Sequence, residues 1–169
     1  QVVSEGQTAI EANTFSILMF ENNYSAQNEF KEILKENEKI WERIEKGWKL
    51  YEPLPQTKEE AKLWDQFVKE WEMWKKDSQK IIDINSKLSI NTSEIKQKEL
   101  FKEYFIEIEN FKKSFIQAEE TLTKIVDLNI NIAEQAKIES DETISFSKSS
   151  MIIALLITFI IVVLLSLII

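Results

Sequence analysis

The scarcity of chain-breaking residues constrains this polypeptide more than any other feature. Only two prolines and two glycines occur in 169 residues, and both prolines fall in "YEPLPQTKEEAKLW", Tyr51–Trp64, as Pro53 and Pro55. A many-stranded protein needs many more turn residues, so this composition favours long helices. Apolar residues return at alternating spacings of three and four, through Ile17, Phe20 and Tyr24 and then Phe30, Ile33, Ile40, Ile44 and Tyr51. That alternation marks the seam of a helical bundle. Gly47 weakens the last turn of this first segment, as suits a helix end.

The prolines punctuate the pattern. Proline cannot continue a helix and pushes the preceding residue toward extended backbone, so "EPLPQ" reads as a short stiff link. Thr57 followed by Glu60 forms a capping box that opens the next helix. Its seam runs through Trp64, Phe67, Trp71, Trp74, Ile81 and Leu88 to "SINTSE", where Asn91, Thr92 and Ser93 offer caps before Glu94. A third series, from Phe101, Tyr104, Ile108, Phe111, Phe115, Ala118, Leu122 and Ile125 to Asn129, Ile132 and Ala136, contains no Gly or Pro.

The chain ends in "MIIALLITFIIVVLLSLII", Met151–Ile169, without a charged residue. A helix of that length rises about 28 Å, close to the hydrocarbon thickness of a bilayer. It is apolar on every face, which predicts a transmembrane helix. Lys137 and Lys148 against Glu139, Asp141 and Glu142 leave the preceding flank without a positive excess, so charge does not orient the span. A first span or a cleaved signal is expected ahead of Gln1. If the chain leaves a membrane at its start and re-enters it at its end, the number of long helices between must be even. The predicted fold is therefore all-α: an up-down-up-down four-helix bundle continuing into a C-terminal transmembrane helix. Its helices are expected at about 5–51, 57–90, 94–112 and 115–150, in a domain of residues 1–150 ahead of the span at 151–169. Balancing the lengths puts the hidden reversal near Asn110–Phe115, with Glu103–Phe105 as the competing position.

Composition excludes several chemistries. Histidine and cysteine are absent, which removes imidazole and thiolate metal sites, haem ligation and thiol catalysis, and predicts neither metal nor cofactor. There is no glycine-rich phosphate loop and no paired carboxylates, so the chain does not read as an enzyme. A net charge of −8 with Arg43 as the sole arginine leaves no basic stripe for nucleic acid.

The stretch "YEPLPQTKEEAKLWDQFVKEWEMWKKD" resembles the corresponding region of bacterial methyl-accepting chemotaxis proteins with a four-helix-bundle sensor domain. There a proline-containing link precedes a helix with a Glu-rich start and a W-x-x-W-like pattern, here Trp71 and Trp74. "LTKIVDLNINIAEQA", with Asn129 and Ala133, is similar to that family's segment ahead of the second membrane span. The resemblance implies a homodimer in the bacterial inner membrane, with residues 1–150 periplasmic or extracellular. It also implies a small-molecule ligand or a periplasmic binding protein as partner. Beyond the span it implies a HAMP linker and a cytoplasmic coiled coil that controls a histidine kinase through adaptor proteins, none of it within this sequence.

Candidate ligand-binding residues are Arg43, Trp41, Trp64, Trp71 and Trp74. With Trp48, the tryptophans are expected at the membrane-distal end, on both sides of the proline link. Such a set either cages an apolar or cationic ligand or fills the distal core or a dimer face, the more economical reading. Arg43 either anchors a carboxylate, as arginines on the first helix of the similar aspartate and serine receptors do, or pairs with Glu42 or Glu45, the pairing being favoured. One arginine departs from that amino-acid-binding pattern. Asn13, Asn37 and Asn129 fall at or near the seam, where a buried amide sets register; the family-like place of Asn129 also suits signalling. Ligand binding would shift the balance between two helix packings, moving the last helix by ~1–2 Å. The sensor module of a transmembrane histidine kinase would look the same over these residues. A tail-anchored coiled-coil tether or fusion protein is the third reading.

Overall fold

The computed structural model describes the backbone of residues 2–168 and the side chains of residues 2–155. Among the described residues four α-helices follow one another: α1 Val2–Ser16, α2 Gln27–Tyr51, α3 Lys58–Leu88 and α4 Glu94–Ile168. A short 3-10 turn, Ile17–Phe20, follows α1, and no strand occurs among the described residues. The chain divides into two compact units, Gln1–Val126 and Asp127–Ile169.

In the first unit every neighbouring pair of helices is antiparallel. Gly6 and Asn13 of α1 meet Ile44 and Asn37 of α2. Phe30 and Tyr51 of α2 meet Asn85 and Glu60 of α3. Gln66 and Lys80 of α3 meet Thr121 and Glu107 of α4. Gln7 and Thr14 of α1 meet Phe115 and Tyr104 of α4, which closes an up-down-up-down bundle.

The seam residues form its core. Phe30, Ile44, Phe67, Trp74, Ile81, Leu88, Phe101, Tyr104, Phe111 and Phe115 are all buried. Burial of that much apolar surface, at roughly 25 cal/mol per Å², dominates the stability of such a bundle. Gly6 lets α1 approach α2 closely: a Cβ there would lie 2.3 Å from Ile44 Cγ1. Gly47 plays the same part against Val2, 3.1 Å from such a Cβ, so its value is close packing and not only helix termination. The Tyr104 hydroxyl donates to Thr14 O at 2.6 Å, and burial pushes its phenol well above its ordinary pKa.

The number of helices agrees with the parity argument, but the hidden reversal lies elsewhere. The helix expected over 5–51 is interrupted between Ser16 and Gln27, and those expected at 94–112 and 115–150 are one helix. Neither Asn110–Phe115 nor Glu103–Phe105 breaks α4, because its seam is regular and nothing there denies a backbone bond. At the true reversal no Gly or Pro is needed. Asn23 Oδ1 accepts from Ser25 N at 3.1 Å, and the Gln97 side-chain nitrogen lies within 3.0–3.1 Å of the carbonyls of Phe20, Glu21 and Asn23. Gln27 reaches across to Asn91 O at 2.6 Å.

Moving that reversal inverts the bundle relative to expectation. The proline link lies at the end that also holds Val2, the partner of Gly47, and the Thr121 to Val126 segment of α4. It is the end at which the chain passes into the second unit, not the opposite one.

The described residues of the second unit all belong to α4. The seam expected to continue through Ile132 and Ala136 is exposed within it, because no second helix of that unit accompanies it. Among the described residues no helix is long and apolar enough to cross a membrane. Most of the predicted span Met151–Ile169 lies outside the residues whose side chains are described.

Candidate functional site: an aromatic groove between α2 and α3

Helical spacing on two antiparallel helices builds the site. On α2, Glu38, Trp41, Glu45 and Trp48 recur three or four residues apart and share a face, with Glu42 beside Trp41 at its edge. On α3, Trp71, Lys75, Gln79 and Ile82 do the same. Together with Ile44 they line a groove of about 530 Å³, within the usual range of small-ligand pockets.

Indole rings make up much of the groove wall. Trp41 and Trp71 stand edge to face with centroids 6.0 Å apart, and Trp48 lies 5.5 Å from Trp71. Trp71 is buried, whereas Trp41 and Trp48 are half-buried. The buried indole N–H groups of Trp41 and Trp74 find no acceptor among the described residues. The charged residues of the lining are three carboxylates and one ammonium. Glu45 accepts from Lys49 at 2.7 Å, and that hydrogen bond holds its carboxyl below the ordinary range. Lys75 pairs with Glu72 at 3.8 Å. Glu38 and Glu42 are exposed and form no ion pair among the described residues.

The candidate residues are partly brought together. Trp41 and Trp71 line the groove, while Trp74 lies behind them in the core, 4.7 Å from Trp71 and 6.1 Å from Phe111. Trp64 packs at a tilt against Trp48 at 4.7 Å and Tyr51 at 4.8 Å, closer to the proline link and off the groove lining. Arg43 is exposed on α2, outside the groove, and makes no ion pair among the described residues. Its expected partners, Glu42 and Glu45, are one and two positions away, and such neighbours on a helix point in different directions. Asn37 is buried and accepts from Asn13 Nδ2 at 2.9 Å, joining α1 to α2. Asn129 is half-buried on α4 in the second unit.

Sequence reasoning missed the acidic rim and Lys75. The signal was present on α2, where the spacing of Glu38, Glu42 and Glu45 interleaves with that of Trp41 and Trp48. Three carboxylates on the face of a helix ordinarily read as a solvated surface, and only the position of α3 turns them into a rim.

The first unit is thus an antiparallel four-helix bundle with an aromatic, acid-rimmed groove between α2 and α3. The model of the four helix bundle sensory module for signal transduction matches residues 3–144, and the chain belongs to that family. Searches of curated proteins and of solved structures return no match.

Proposed function

We propose that residues 1–150 are the extracytoplasmic sensor of a bacterial transmembrane chemoreceptor in the inner membrane. The module works as a homodimer and detects a small molecule or a periplasmic binding protein. It passes a helix displacement through Met151–Ile169 to a cytoplasmic domain that controls a histidine kinase. No catalysis is assigned to it. The observation that carries this reading is α4, assigned as one helix from Glu94 in the bundle to Ile168 in the uncharged apolar run. A rod without a Gly or Pro need not absorb at a hinge the shift that a ligand selects among bundle packings. Exposed apolar residues of the second unit, among them Ile130, Ile138 and Ile144, support a second copy as their cover.

The test is a chimera in which this chain replaces the sensor and second span of a chemoreceptor of known output. Kinase activity that changes with an added solute, together with accessibility of a cysteine introduced at exposed Lys76 to an impermeant maleimide from outside the inner membrane, is expected. A cytoplasmic Lys76 position overturns the reading. A chimera inert to every solute, alongside a working chimera built on a kinase domain, moves the module to the histidine-kinase class.

A further inference from the structure

We propose that the groove between α2 and α3 is a direct binding site for a small organic ammonium ion, seated against Trp41, Trp48 and Trp71 and drawn in by Glu38, Glu42 and Glu45. The proposal deepens the sensor reading by naming a ligand class, and rests on that reading only for the consequence of binding.

Charge selects the sign of the ligand. The lining carries a formal excess of two negative charges, and its only cation, Lys75, already faces Glu72. An anion would meet the carboxylates of Glu38 and Glu42 beside Glu45, which Lys49 already pairs, with Arg43 outside the groove. The wall selects an organic cation over a metal ion. No group of three or more acidic side chains among the described residues lies close enough to hold a metal, whereas indole faces attract soft cations within about 6 Å of the ring centroid. A hard divalent ion prefers a shell of converging oxygens, and two or three rim carboxylates beside indole rings do not supply one. A methylated or alkyl ammonium instead places its apolar surface on the rings and leaves its charge near the rim.

The geometry also suits a signal. Trp41 and Trp48 stand on α2 and Trp71 on α3, so a ligand between them alters the free energy of α2–α3 packing. Trp71 and Trp74 continue that contact toward Phe111 and Phe115 on α4. A ligand biases packing by its differential affinity for the two arrangements.

The experiment uses the full chain in lipid nanodiscs, titrated with choline chloride while tryptophan emission is followed. The neutral isostere 3,3-dimethylbutan-1-ol is the matched control. Saturable quenching by choline, at least tenfold stronger than by the isostere and weakened by salt, is the expected result. Glu38→Gln with Glu42→Gln changes exposed side chains outside the core and is expected to weaken choline binding about three- to tenfold and to flatten its salt dependence. Trp41→Leu is expected to abolish saturation, with its helical circular dichroism recorded to show that the bundle persists. Equal binding of the isostere, no saturation, or unchanged affinity in the double glutamine variant overturns the site. A chimera that responds to other solutes while choline fails to bind removes this inference alone. Saturable binding in a chain whose chimera is silent preserves the site and removes the sensor reading.

Discussion

The two ends of the bundle turn the chain by opposite means. At the proline link everything that reverses the chain is local. Pro53 and Pro55 stop α2, Leu54 N donates to Tyr51 O at 2.9 Å, and Thr57 and Glu60 cap α3 through a reciprocal pair at 3.1 and 3.4 Å. The hydroxyl of Tyr51 donates to Glu60 and ties the last residue of α2 to the first turn of α3. At the opposite end the turn between Phe20 and Gln27 has local bonds, such as Ser25 N to Asn23 Oδ1. It is also stapled from outside, by Gln97 of α4 and by the contact of Gln27 with Asn91. A turn built from near neighbours declares itself in the sequence. One built from an amide more than seventy residues away does not.

That contrast can be broken experimentally, and the remote staple is expected to give the largest effect. Gln97→Leu removes the side-chain donor shared by the carbonyls of Phe20, Glu21 and Asn23 at a position that is 1 % exposed. It should cost about 1–3 kcal/mol in urea unfolding of the full chain in detergent. Amide exchange should rise at residues 17–27 and stay unchanged at 52–61. Faster exchange at both ends would mean that the two turns form one cooperative unit.

The local turn should yield less. Thr57→Ala removes the acceptor of Glu60 N and should cost about 1 kcal/mol, with exchange rising only in the first turn of α3. Tyr51→Phe removes the hydroxyl donated to Glu60 and should cost about 0.5–1.5 kcal/mol in the same unfolding assay. If Thr57→Ala proves costlier than Gln97→Leu, the ranking of remote above local contacts is reversed.

The smallest effect concerns neither end but the α3–α4 face between them. Lys80 donates to Glu107 at 2.9 Å and to Asp77 at 3.2 Å. The Lys80 hydrogen bond lowers the carboxyl of Glu107 below its ordinary 4.5. A depressed carboxyl contributes stability that is complete above the unfolded value and lost as pH falls through the folded one. Unfolding midpoints should therefore decline below about pH 4.5, and Lys80→Met should make that decline shallower without altering the turns. An identical acid limb in the variant would remove Lys80 from the account.

The same division between local and remote causes explains what could be read in advance. The Trp64, Phe67, Trp71, Trp74 seam and the Phe101 to Ile125 seam are visible because helical periodicity depends only on near neighbours, and all but Trp64 are buried. The caps at Thr57 and Ser93 are visible for the same reason; Ser93 accepts from Lys96 N at 3.3 Å. The reversal after Ser16 was hidden, and with its place went the direction of the whole bundle. The tryptophans could be named, but their division was not legible. Trp41, Trp48 and Trp71 line a groove while Trp74 is sealed in the core, and that depends on which helix lies across from each ring.

By itself the sequence determined an all-α chain, a capped proline hairpin and an uncharged apolar end. Each follows from backbone chemistry or from periodicity over a few turns. Only the tertiary structure decided where the first helix folds back and which bundle end holds the link. It also decided that three glutamates and three indoles share one groove. Those outcomes depend on contacts between residues distant along the chain, such as Gln97 with Phe20 and Trp41 with Trp71, whose geometry no local pattern encodes.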